Sequence, residues 1–79
     1  MKINTLITVD TDILGGKPVF AGTRVPIETL FDHLEAGIGL DEFLDDFPTV
    51  TKEQAIAVLD LANRLLTSKN INQLYETVA

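Results

Sequence analysis

From Thr51 to Ser68 the chain contains neither glycine nor proline, and its apolar residues recur at helical rather than strand spacing. Thr51 followed three positions later by Gln54 has the form of a capping box, in which hydroxyl and amide each satisfy a backbone donor at the helix start. The spacing therefore predicts a helix from Thr51 to about Ser68, the longest element of the chain. At about 100° per residue, Ala55, Ile56, Val58, Leu59, Leu61, Ala62, Leu65 and Leu66 cover far more than a one-third face. Only Asp60, Asn63 and Arg64 interrupt them. So wide a stripe exceeds what a small body covers by itself, so a second subunit is expected over Ile56, Leu61 and Leu65.

The size of the body sharpens that expectation. A chain of 79 residues builds one core, and a lone core of this size supplies only about 3 to 5 kcal/mol. There is no cysteine, so disulfides and thiolate zinc sites are excluded, which fits a reducing compartment. With one histidine, His33, the chain is not expected to hold a transition metal, and no cofactor motif is present. Self-association is the remaining aid to stability, and an apolar share of 46% with mean hydropathy +0.21 agrees with a homodimer. The stretch Met1 to Thr8, with one basic residue and a short mixed run, is neither signal peptide nor membrane span, so a cytoplasmic location is expected.

Upstream of the long helix the pattern changes twice. Ile3 to Asp10 reads as a short strand, since Ile7, Thr8, Val9 and Asp10 alternate apolar with polar. Gly15-Gly16-Lys17-Pro18 is a turn, and Val19-Phe20 and Thr23-Arg24-Val25 flank Ala21-Gly22 with the spacing of a tight hairpin. Pro26 then suits the first turn of a helix carrying Ile27, Leu30, Phe31 and Leu34, which should stop near Gly37 in the left-handed C′ position. After Gly39, Asp41 can cap a two-turn helix with Leu40, Phe43, Leu44 and Phe47 on one side, ending before Pro48. Beyond the long helix, Asn70 can cap a short segment with Ile71, Leu74, Tyr75 and Val78 at i, i+3, i+4 and i+7. Such a segment is too short to be stable alone; it docks on its own core or in a partner's groove.

The expected fold is mainly α with a small N-terminal β element: one domain over 1–79, with an extended hairpin segment over 1–25, a three-helix core over 26–68 and a C-terminal docking helix over 69–79.

Catalytic chemistry finds no residues to carry it. Gly15-Gly16-Lys17-Pro18 lacks the loop length and the Lys-Ser or Lys-Thr ending of a phosphate-binding P-loop. Asp45 with Asp46, or Glu35 with His33, lack a nucleophile, a metal set or a second histidine beside them, and neighbouring helical residues point apart. No catalytic residue and no small-molecule substrate are therefore expected. The net charge of −6, with seven carboxylates and no Lys or Arg between Arg24 and Lys52, disfavours broad phosphate binding. The same acidic block is either a solvated face or a surface complementary to a basic partner.

The run Gly15-Gly16-Lys17-Pro18-Val19-Phe20-Ala21-Gly22-Thr23-Arg24-Val25-Pro26 resembles the signature of the domain of unknown function 433 family. The likeness continues through Leu34 to Gly37, the acidic second helix closed by Phe47-Pro48, and the helix begun at Thr51, roughly residues 3 to 68. It implies a helix-turn-helix or winged-helix-like fold, in a group that includes VapB-type antitoxins encoded beside PIN-like ribonuclease toxins. Two helices joined by Gly37-Ile38-Gly39 and followed by a capped third have the order such a fold needs.

In that reading Thr49, Thr51, Lys52 and Gln54 would reach operator DNA, with Lys17 and Arg24 as further phosphate contacts. The plainer alternatives are helix capping for Thr51 and Gln54 and solvated charge for Lys17 and Arg24. The implied function is an antitoxin that neutralises a PIN-like ribonuclease, with repression of its own operon as a companion activity. In that role Ile71, Leu74, Tyr75 and Val78 would cover the toxin. A dimeric adaptor domain and a plain DNA-binding regulator are the rival expectations.

Overall fold

A computed structural model describes residues 3–68 of the chain. A single helical turn, α1 (Ile3–Leu6), leads into β1 (Ile7–Thr8), and a loop with a 3₁₀ turn at Leu14–Gly16 reaches β2 (Val19–Phe20). Three longer helices follow: α2 (Ile27–Glu35), α3 (Leu40–Asp46) and α4 (Lys52–Leu66). The described part is thus mainly helical, with a two-stranded antiparallel sheet pairing Ile7 with Phe20 and Thr8 with Val19. The expected segment Ile71 to Val78 lies outside the described residues.

The N-terminal strand is shorter than its alternation predicts. Ile3 and Leu6 stand three apart, the spacing of one helical turn, and Leu6 is buried in the core while Ala21 N–H donates to its carbonyl at 2.9 Å. Only Ile7 and Thr8 remain to pair with β2. The expected hairpin around Ala21-Gly22 is also modified. The ladder of β2 runs to β1, and on its other side Phe20 N–H donates to Val25 O at 3.0 Å around a four-residue loop, with Val19 opposite Pro26 as an isolated bridge. Pro26 has no N–H to extend that edge. Inside the loop, the Thr23 hydroxyl donates to Phe20 O at 2.8 Å and accepts from Val25 N–H at 3.0 Å, while Gly22 takes φ +78°.

Pro26 occupies the N-cap of α2 rather than its first turn, with helical geometry starting at Ile27. At the other end Gly37 adopts φ +81°, Ile38 N–H donates to His33 O at 2.8 Å, and Gly37 N–H to Leu34 O at 3.0 Å. These two bonds form a Schellman cap that satisfies carbonyls the helix cannot. Asp41 does not cap α3. Phe43 N–H donates to Gly39 O at 3.1 Å, which makes Gly39 the N-cap and places Asp41 and Glu42 in the first turn, where their charge favours the helix dipole. The earlier start lets Leu40, Phe43 and Leu44 pack on the core together. The capping box of α4 forms as expected, with Gln54 N–H on Thr51 Oγ1 and Thr51 N–H on Gln54 Oε1, both at 3.0 Å. The helix ends at Leu66, two residues short of Ser68.

Leu6, Phe20, Leu30, Phe43, Val50, Ala55 and Val58 form the buried core, drawn from α1, β2, the three longer helices and the loop before α4. Phe20 and Phe43 are fully buried with ring centroids 6.1 Å apart, and Phe47 extends the cluster at 5.1 Å from Phe43. Each such side chain contributes roughly 1.5–3 kcal/mol of burial. The His33 ring makes T-shaped contacts with Phe43 and Phe47 and so ties α2 to α3 and its C-cap.

Candidate functional site

Two surfaces stand out, and both are built around α4. The first begins at its N-terminus. Gln54, besides closing the capping box, donates from Nε2 to Ala21 O at 2.9 Å and so ties the loop after β2 to the start of α4. That tie brings Arg24 and Thr49 to one open groove of about 560 Å³, with Thr8 and Thr23 on its walls and Ile13 and Val25 among its apolar lining.

The remaining residues proposed for nucleic acid lie elsewhere. Gln54 uses both ends of its amide within the fold, and the Thr51 hydroxyl is occupied by the cap. Lys52 is exposed at the first position of α4. Lys17 belongs to a different depression, of about 450 Å³, beside Ile7, Pro18, Ile27 and Phe31, where its ammonium donates to Glu28 Oε1. That hydrogen bond, and then the Glu28 charge, raise the Lys17 pKa above the usual lysine value; desolvation opposes them and Asp32 adds to them. Of the six sequence-derived candidates, the structure therefore unites only Arg24 and Thr49 in one concavity.

The second surface is the far half of α4. Ala55 and Val58 are buried, Leu61 and Ala62 are half-buried, and Leu65 is 59% exposed although it lies seven positions, or nearly two full turns, beyond Val58. The helix is about 22 Å long and carries its core-facing stripe past the last of the described core contacts at Leu61. Leu61 and Leu65, four apart, share one edge. Ile56 is 47% exposed but stands nine positions from Leu65, half a turn around the helix, so the two cannot belong to one flat interface.

Sequence reasoning missed two further features. Val9 and Leu14 are exposed at 66% and 48%, and Leu14 holds a left-handed φ of +50°, which is unusual for a branched side chain. His33 meets Asp46 rather than Glu35. Its Nδ1–H donates to Thr29 O at 3.0 Å, since a carbonyl can only accept, and Nε2 lies 3.5 Å from Asp46 Oδ2. No periodicity signals that pairing, because it depends on how α3 folds back on α2. Among the described residues no three His, Cys, Asp or Glu side chains are grouped as a metal site, and no helix is long and apolar enough to cross a membrane.

The chain is similar to the protein described as "Uncharacterized protein y4eO" of Sinorhizobium fredii (strain NBRC 101917 / NGR234), 37% identical over 49 residues. The match covers 62% of this chain and 22% of that protein, so the chain spans less than a quarter of its relative's length. No solved structure matches it. The family model described as "Protein of unknown function (DUF433)" matches residues 7–62, and the chain belongs to that family.

Proposed function

We propose that this chain is an antitoxin: a dimeric, non-catalytic binding domain that docks a PIN-like ribonuclease and silences it. The reading joins the family resemblance to one observation, the edge of α4 at Leu61 and Leu65 that continues the core stripe beyond the core. A leucine 59% exposed on the same side as a buried valine is apolar surface that a second chain would shield. The acidic residues of α3 add to the case. Asp41, Glu42 and Asp45 are exposed, and such a cluster complements the basic groove of an RNA-cleaving protein and speeds encounter with it.

In this reading α2 and α3, joined through Gly37-Ile38-Gly39, form with α4 a helix-turn-helix-like unit. Operator binding stays secondary. Of the four described basic residues, Lys17 is tied to Glu28 and Arg64 to Asp60, so among the described residues only Arg24 and Lys52 are left for phosphates. Two contacts per subunit give a shallow salt dependence and weak affinity.

Co-expression tests the proposal. A PIN-like ribonuclease encoded beside this chain should arrest growth alone and be harmless when the chain is co-expressed. A neighbour that is harmless by itself, or one that arrests growth despite the chain, removes the antitoxin reading.

A further inference from the structure

We propose that the groove at Arg24 is a receptor for the carboxylate end of a peptide whose last residue is apolar. This site is separate from the edge of α4 and does not depend on the antitoxin reading.

The first support is charge. Eleven of the chain's 12 acidic side chains are among the described residues, yet none of these lines this groove, where Arg24 is the one charged residue described. Lys17 and Arg64 are neutralised by Glu28 and Asp60, whereas Arg24 makes no ion pair among the described residues. A guanidinium left unpaired in a protein of net charge −6, and set in a concave wall, is a binding group for an anion from outside.

The second support is the remaining lining. Ile13 and Val25 supply apolar surface, and the hydroxyls of Thr8 and Thr49 have no hydrogen-bond partner among the described residues, so they can donate to a carboxylate held by the arginine fork. Thr23 and Gln54 hold the 21–24 loop through the bonds already described, so Arg24 stands on a braced turn rather than a loose one. Preorganisation of this kind lowers the entropic cost of binding.

The third support selects the ligand. One cation matches one negative charge, which favours a monocarboxylate over a phosphate dianion or a nucleic-acid backbone, both of which call for several cations. A volume of about 560 Å³ accommodates a terminal residue and its neighbour, and the groove is open to solvent, which leaves an exit for a preceding chain. Capture of a C-terminal carboxylate is an established mode of peptide recognition, and the planar arginine fork matches carboxylate geometry.

The test is an amide-resolved NMR titration of the full ¹⁵N-labelled chain with N-acetyl-valyl-leucine, which has a free carboxylate, and with the same dipeptide as its C-terminal amide. The acid should give saturable shifts at Thr8, Gly22, Thr23 and Thr49, and the amide should bind at least roughly tenfold more weakly. Arg24→Gln, at an exposed position that leaves the core intact, should lose the acid by a similar factor, and Arg24→Lys should fall between. The proposal is overturned if the acid gives no saturable shifts, or if the amide binds as tightly as the acid. It is equally overturned if 4-methylpentanoate matches the dipeptide, which makes the ligand a free acid, or if inorganic phosphate or a DNA oligonucleotide binds more tightly than either.

Discussion

The two halves of α4 are almost equally apolar in sequence and have opposite fates. In the first half, Ala55 and Val58 are buried and the helix start is secured by the reciprocal Thr51–Gln54 cap. In the second, the same stripe reaches Leu65 with more than half of its surface exposed. Helical spacing determines which residues share a face. It does not say how long the body beneath that face is, and among the described residues Leu61 is the last residue of α4 packed against the core. The first half therefore contributes to the core, and the second leaves apolar surface exposed.

The contrast can be broken most severely by placing charge in both halves. Val58→Asp puts a carboxylate among core side chains with no partner and should cost about 3–5 kcal/mol, enough to unfold a domain of this size. Leu65→Asp, on the same side of the same helix, should change stability by no more than about 0.5 kcal/mol at concentrations low enough for the chain to be monomeric. Urea unfolding followed by circular dichroism checks both, and equal losses at the two positions would erase the distinction.

Helix ends give a smaller effect. Gly37→Ala meets no atom within 4 Å of the added Cβ, so its cost is the left-handed backbone alone, about 1–2 kcal/mol. Thr51→Ala removes one bond of the capping box and should cost about 1 kcal/mol. Thermal midpoints of the two variants read these losses directly.

The smallest effect belongs to Lys17. Its pKa is raised in the folded state, so the stabilisation from its pair with Glu28 is present below the ordinary lysine range of about 10.4 and is lost as pH climbs through the higher folded value. Lys17→Met should therefore be slightly less stable than the wild type at neutral pH, and the gap should close at strongly alkaline pH. A gap that widens with pH would contradict the pairing.

What could be read in the residues follows how local the chemistry is. The cap at Thr51, the stop at Gly37 and the span of α2 depend on neighbours within four positions, and each is legible. Asp41 misled because aspartate serves both as N-cap and in a first turn, and the packing of Leu40 and Phe43 decides between them. The helical turn Ile3–Leu6 and the pairing of β1 with β2 depend on how the chain returns across the 9–18 loop, which alternation does not encode. The meeting of Arg24 with Thr49, and the bond from Gln54 to Ala21 across 33 positions, are likewise products of the fold. Nothing in the sequence distinguishes Gln54 as a cap from Gln54 as a tie between loop and helix, and it is both.

The most direct test of the overhanging edge is growth rescue by wild type and by Leu65→Gln, expressed to equal levels against the ribonuclease of the adjacent reading frame. The wild type should restore growth and the variant should not, although the two monomers unfold at the same temperature within about 2 °C. Full rescue by an equally stable variant would contradict that expectation.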